Sequence, residues 1–198
     1  PRDYARILTL REEKSSEVYL TDEDLEKLKA YRCCSDTEIT VLNQFLIGVY
    51  SGARHSDYIT FDESNVSEGY LTYVSRKTKI KASVPVKPMV MKLLKNPKTR
   101  VELTTTAFNQ NLKDICRKAG ICQKVKVFKA GKMDEGEKWQ YVSSHTARRT
   151  FATNLYLRGC DLYSISRMMG HASVEMTATT YICCGMRQQS GKVLAYFS

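Results

Sequence analysis

Residues 143–181 constrain this chain more than any other stretch, because short helices are started and stopped there at fixed places. Ser143 or Ser144 can cap a helix that runs to Arg158 and stops at Gly159. Ala147, Phe151 and Leu155 recur every fourth residue and make its buried stripe. His145 and Arg148, three apart, share another face in the first turn. Unpaired backbone N–H groups and the positive end of the helix dipole lie in that turn and favour an anion. A second helix starts near Asp161, with Leu162, Ile165 and Met168 or Met169 inward. Gly170 ends it and His171 follows; a third short segment opens at Ser173 and carries Tyr181. Such a chain can bring two histidines, an arginine and a tyrosine together at helix ends. Singly, each of these residues is an ordinary surface or core group; the combination is much harder to obtain by chance.

The arrangement suits attack on a phosphodiester, and it resembles the tyrosine recombinases of the phage integrase family. His145-Thr146-Ala147-Arg148-Arg149 is similar to that family's H-x-x-R box, Met169-Gly170-His171 to its L-G-H box, and Tyr181 to its nucleophile. The interval from His171 to Tyr181 is one residue longer than is usual there, and Tyr196 lies too late to substitute. The likeness spans nearly the whole chain and implies the DNA breaking-rejoining fold. That is an α+β architecture, mainly helical, with a small antiparallel β-sheet.

The remaining elements fit that expectation. Thr21 caps a helix through Tyr31 with acidic residues 22–24 in its first turn, and Val18–Thr21 resembles the entry into the catalytic domain. Asp36 can cap the next helix, whose core side carries Ile39, Leu42, Phe45, Leu46 and Val49 and which ends at Ser51-Gly52. Arg54 follows that helix end. On its own it reads as a surface arginine; the resemblance makes it the first catalytic arginine of a G-x-R-x-S-E/D motif. Asp57 then buttresses the site, and His55 reads as solvated.

Residues 69–86 read as a hairpin, with Leu71 and Tyr73 alternating on one strand and Ile80, Ala82, Val84 and Val86 on the other. Its basic turn, Arg76-Lys77-Thr78-Lys79, is by itself a solvated loop or a phosphate contact. The resemblance assigns Lys77, with Lys79 the alternate, to protonating the leaving 5′-oxygen. Short helices are expected over Pro88–Lys95 and after Thr104–Thr106, the latter ending before Gly120. Residues 124–142 read as a second hairpin whose charged tip either tracks DNA or is merely solvated, with Trp139 packing.

Charge and cysteine usage narrow the classes. Lys and Arg number 31 against 21 Asp and Glu, a net charge of +10 that suits a polyanion such as double-stranded DNA. No apolar run is long enough to span a membrane and no signal peptide is visible, so a cytoplasmic, nucleoid-associated protein is expected. The seven cysteines include two adjacent pairs but no C-x-x-C, which argues for reduced thiols and against zinc. No P-loop or clustered carboxylates appear, so no cofactor and no metal are expected. Residues 1–18 read as a linker or the remnant of an upstream DNA-binding domain. Residues 19–198 read as the catalytic domain, including a C-terminal tail over 186–198.

The resemblance implies a mobile-element or prophage integrase that cleaves and rejoins DNA through a 3′-phosphotyrosyl intermediate. Arg54 and Arg148 clamp the phosphate, His145 accepts the nucleophile's proton, His171 binds a non-bridging oxygen and Lys77 is the general acid. It also implies a homotetramer in the synaptic complex, a monomer for this chain alone, and DNA-bending or excision factors as accessories. The alternatives are a type IB topoisomerase, which shares the chemistry, and a DNA-binding module whose site is unused.

Overall fold

The computed structural model describes residues 18–129 and 132–178. Helix α1 (Asp22–Ala30) starts at Thr21, whose hydroxyl accepts from the Asp24 amide while the Asp24 carboxylate accepts from the Thr21 amide. The long central helix α2 (Asp36–Ser51) is capped by Ser35, whose Oγ accepts from the Glu38 amide. Asp36, expected as the cap, is instead the first helical residue. There its carboxylate meets the helix dipole and pairs with Lys98. Almost every side chain from Thr40 to Val49 is buried, so α2 is the spine on which the other elements pack.

α2 ends at Gly52 with φ +64°, and a Cβ there would lie 2.4 Å from the Phe151 ring. Only glycine lets the chain turn so close to its neighbour. A short helix α3 (His55–Tyr58) follows, and then a three-stranded antiparallel sheet, β1 (Val66–Ser67), β2 (Tyr70–Val74) and β3 (Lys81–Pro85). Leu71 pairs with Val84 and Tyr73 with Ala82, and all four are buried, as the alternation required. The two-residue β1 left no periodic signal in the sequence.

Helix α4 (Pro88–Lys95) has proline in its first turn, and α5 (Thr105–Lys118) is capped by Thr104. The second hairpin comprises β4 (Lys124–Lys129) and β5 (Lys132–Glu137). Its register sets Lys124 opposite Glu137 and Lys126 opposite Glu135, so the basic strand faces an acidic one. Trp139 packs against the core, donates to Glu137 and lies under Arg117.

Helix α6 (Ser144–Leu157) packs along α2, and α7 (Leu162–Met168) is capped by Asp161. A smaller core of Val84, Phe151, Ala152, Ile165 and Met169 holds these helices against β3. The entry segment is sewn to α6 by the Leu20 amide on Thr150 Oγ1 at 3.0 Å and by Asn154 on the Leu20 carbonyl at 3.1 Å. Among the described residues no helix is long and apolar enough to cross a membrane. The readings of residues 1–17 and of the 186–198 tail lie outside the described residues.

Candidate active site

The site forms where three turns meet: the end of α2, the tip of the β2–β3 hairpin, and the glycine stop after α7. Arg54, half-buried ahead of α3, donates from Nη1 to Ser75 Oγ at 2.9 Å. Ser75 is fully buried at the base of the hairpin tip. Arg148 projects from the first turn of α6 and is 8% exposed. Its Nη1 donates to the Gly52 carbonyl and its Nη2 to the Met169 carbonyl, the latter at 2.9 Å. One guanidinium thus ties the α2 end to the α7 end, and the two backbone anchors fix its plane.

The hairpin tip is anchored from both sides. Asp57, 2% exposed, accepts the Arg76 amide on Oδ1 at 3.0 Å, while its Oδ2 has no partner among the described residues. Thr78 donates to the Gly170 carbonyl at 2.9 Å. The Lys79 amide donates to the Ser75 carbonyl at 2.8 Å, with Lys79 itself at φ +57°. A left-handed non-glycine residue costs about 1–2 kcal/mol, which the tight turn imposes on the Lys79 backbone. Lys77 sits exposed at its apex.

His171 is buried, with Nδ1 2.7 Å from the hydroxyl of Thr177, which is fully buried. Thr177 belongs to a helical turn over residues 174–178. Burial first, then the charges of Arg148 and Arg54, push the His171 imidazole down to about 3. It is therefore neutral at any working pH. Burial likewise pushes the Tyr73 phenol up to about 12, against the pull of Arg148. The surroundings of the two guanidiniums thus hold buried neutral groups and backbone carbonyls, together with Asp57.

His145 lies on the first turn of α6 and is solvent-exposed. Beside it stands His55, which is not solvated as expected from sequence but half-buried against Phe108 (centroids 4.5 Å apart) and Tyr58 (5.2 Å). Burial, and then the charge of His145, lower the His55 pKa. This aromatic wedge braces the helix start, where Asn109 Oδ1 accepts the Ser144 amide at 2.8 Å. The structure therefore gathers Arg54, Arg148, His171 and the Lys77 turn, and sets His145 on the same helix turn as Arg148. Tyr181 lies outside the described residues. Sequence reasoning did not single out Ser75, Thr78 or Thr177; their hydroxyls act only across the fold, and no local spacing announces them. Among the described residues no cluster of three or more His, Cys, Asp or Glu is placed to hold a metal ion.

A helical domain with a small sheet, converging two arginines and a histidine at turn ends, has the tyrosine recombinase catalytic-domain fold. Residues 18–184 match the family model described as the phage integrase family, and the chain belongs to that family. It is 24% identical over 178 residues to the integrase of Haemophilus phage HP1, covering 89% of this chain and 46% of that protein. The chain spans less than half the length of the curated relatives it matches. Among solved structures, the catalytic domain of bacteriophage HP1 integrase superposes with a TM-score of 0.55 at 20% identity, covering 83% of this chain and 87% of that one. A lambda integrase tetramer bound to a Holliday junction superposes with a TM-score of 0.56 at 18% identity, covering 84% of this chain and 49% of that one. At such identities the structural likeness speaks for the fold alone.

Proposed function

We propose that this chain is the catalytic domain of a site-specific DNA recombinase or integrase that cleaves DNA through a 3′-phosphotyrosyl intermediate. The observation that carries the reading is the arginine pair, half-buried Arg54 and buried Arg148, beside a pinned lysine turn and a His171 kept neutral by burial and by their charge. Residues 19–198 are then the catalytic domain, and residues 1–18 are a linker or the remnant of an upstream DNA-binding domain.

In this reading the guanidiniums clamp the non-bridging oxygens of one phosphodiester, supplying the positive charge at which a metal would otherwise act. His171 donates a hydrogen bond to one of the same oxygens. The Tyr181 hydroxyl, with an ordinary pKa of about 10, loses its proton to His145 as its oxygen attacks phosphorus. The bond from phosphorus to the 5′-oxygen breaks, and Lys77 gives that oxygen a proton. A 3′-phosphotyrosyl enzyme and a free 5′-hydroxyl result, and rejoining reverses the steps. The likeness of Lys77-Thr78 to the family's hairpin turn favours Lys77 for the role, with Lys79 the alternate. Asp57 supports the site by fixing the Arg76 amide. The partner is double-stranded DNA, bound by a homotetramer in the synapse with accessory factors that bend DNA or favour excision; the chain alone is a monomer that nicks.

The test is trapping on a nicked suicide duplex carrying the element's end, in excess EDTA. The expected outcome is a covalent adduct on Tyr181 that disappears in Tyr181→Phe while DNA binding persists. An adduct on Tyr163 or Tyr196, or activity that returns only with magnesium, sinks the reading.

A further inference from the structure

We propose that Thr177 is a positioning residue for His171: its hydroxyl donates to Nδ1 and holds the neutral imidazole as the Nε2–H tautomer. The inference rests on the reading above, in which His171 must donate to a phosphate oxygen.

A neutral imidazole carries one proton, so it donates from Nε2 only if Nδ1 is bare. The hydroxyl 2.7 Å from Nδ1 could face it as donor or as acceptor. Burial decides between the two. Thr177 has no exposed surface, and among the described residues its side chain bonds only to His171. Were Nδ1 the protonated atom, Oγ1 would accept and its own hydrogen would be left without an acceptor among the described residues. A buried unpaired donor costs roughly 1–3 kcal/mol, enough to favour the Nε2–H tautomer about fivefold or more. The depressed His171 pKa keeps a second proton off the ring, so the tautomer choice is the whole of its donor capacity.

Thr177 stands four positions before Tyr181, in the turn over 174–178 that Ser173 starts by accepting the Met176 amide on Oγ at 3.4 Å. Ser166 Oγ donates to the Ser173 carbonyl at 3.3 Å and seats that turn on α7. A chain in which the turn is unseated loses the donor to Nδ1, so His171 becomes a competent donor only when the segment leading to the tyrosine is in place.

The experiment records the ¹⁵N spectrum of histidine-labelled protein, full chain and without DNA, for wild type, Thr177→Val and Thr177→Ser. We expect His171 as Nε2–H with a hydrogen-bonded Nδ1 in the wild type and in Thr177→Ser, and in Thr177→Val, whose shape is conserved, an Nδ1 resonance moved to that of a bare ring nitrogen accepting no hydrogen bond. On the suicide duplex, Thr177→Val slows adduct formation about tenfold at unchanged DNA affinity, and Thr177→Ser restores it to within about twofold. A wild-type Nδ1–H tautomer, an Nδ1 resonance unchanged in Thr177→Val, or a Thr177→Ser as slow as Thr177→Val each overturns the proposal. Because the spectrum needs no substrate, a wild type that forms no adduct would count against the recombinase reading and leave the tautomer question answered separately.

Discussion

Two regions of this domain bury a cation, and they do so in opposite ways. Between α1 and the 3₁₀ turn at Lys138–Tyr141, Lys138 meets Asp24, and neither residue is more than 6% exposed. Asp24 also accepts from Gln123 at 2.7 Å and from the Thr21 amide at 3.0 Å. Burial alone would raise the Asp24 pKa, but Lys138, Gln123 and the Thr21 amide outweigh it and hold it below its ordinary value. Charge there is matched by charge. At the other region Arg148 meets carbonyls of Gly52 and Met169, Arg54 meets a hydroxyl, and their charge adds to burial in lowering the His171 pKa. One region pairs its cation with a carboxylate, and the other sets two guanidiniums beside a neutral histidine, an arrangement that suits an oxyanion.

The comparison breaks most readily at the balanced pair. Lys138→Met should cost about 3–5 kcal/mol, because it strands a buried carboxylate, while Asp24→Leu with Lys138→Met should recover most of that loss. Chemical denaturation of the two variants measures it. A mild single mutant would mean that Asp24 finds water, and that the pair is less sealed than its burial shows.

Next comes the arginine site. Arg148→Ala should lower adduct formation by about 10²–10³-fold and destabilise less than Lys138→Met, since the partners it leaves behind at Gly52 and Met169 are neutral carbonyls. It should also raise the His171 pKa toward 6.5, because one of its depressing charges is gone. Adduct kinetics, denaturation and a histidine titration on the same variant separate the three effects. An unmoved His171 titration would sink the electrostatic account of this site.

How much of this contrast was legible beforehand depends on the range of each interaction. Caps and stops act within one turn, so Thr21, Thr104, Asp161 and Gly170 announced the helices that carry the site. Ser35 and Asp36 are both good capping residues, and local chemistry alone did not choose between them. Arg54 became a candidate only through the resemblance of its motif, because an arginine after a helix end has no distinctive periodicity. Ser75, Thr78 and the burial of His55 depend on partners 21, 92 and 53 positions away, counting Arg54, Gly170 and Phe108. No window along the chain contains both members of such a pair. The left-handed backbone at Lys79 is likewise something that the letters K-T-K do not encode.

Acidification separates the two regions by window. The folded His171 pKa lies near 3, below the ordinary 6.5, so the unfolded chain takes up a proton that the folded chain refuses. Its contribution to stability is therefore intact above pH 6.5 and is lost as pH falls from there toward 3, with a limiting slope of about 1.4 kcal/mol per pH unit. Asp24 is lowered too, but from an ordinary 3.8, so its contribution holds down to that value and fades only below it. His55 is lowered as well and adds to the early loss. Unfolding measured against pH for wild type and His171→Gln isolates the histidine: the variant should lose part of the slope between about pH 6 and 4 and keep the Asp24 loss below. Identical slopes would show that His171 charges freely in the folded state.

The smallest effect is the most diagnostic, because it supplies an anion from outside. If the arginine pair holds a phosphate, a small tetrahedral oxyanion should bind between Arg54 and Arg148. Binding to the folded state alone stabilises by about 1.4 kcal/mol at ten times the dissociation constant, which for a domain of this size is a melting shift of roughly 3–5 °C. Sulfate and vanadate are the probes, with chloride at matched ionic strength as the control for general screening. The same anion should raise the His171 pKa, since it offsets the two charges that depress it, and should leave Asp24 where it is. Arg148→Ala should abolish both the melting shift and the His171 response, whereas the Asp24→Leu, Lys138→Met double variant should keep them. A stabilisation that survives in Arg148→Ala would place the anion elsewhere on the basic surface, and the two regions would then differ only in which side chains they happen to bury.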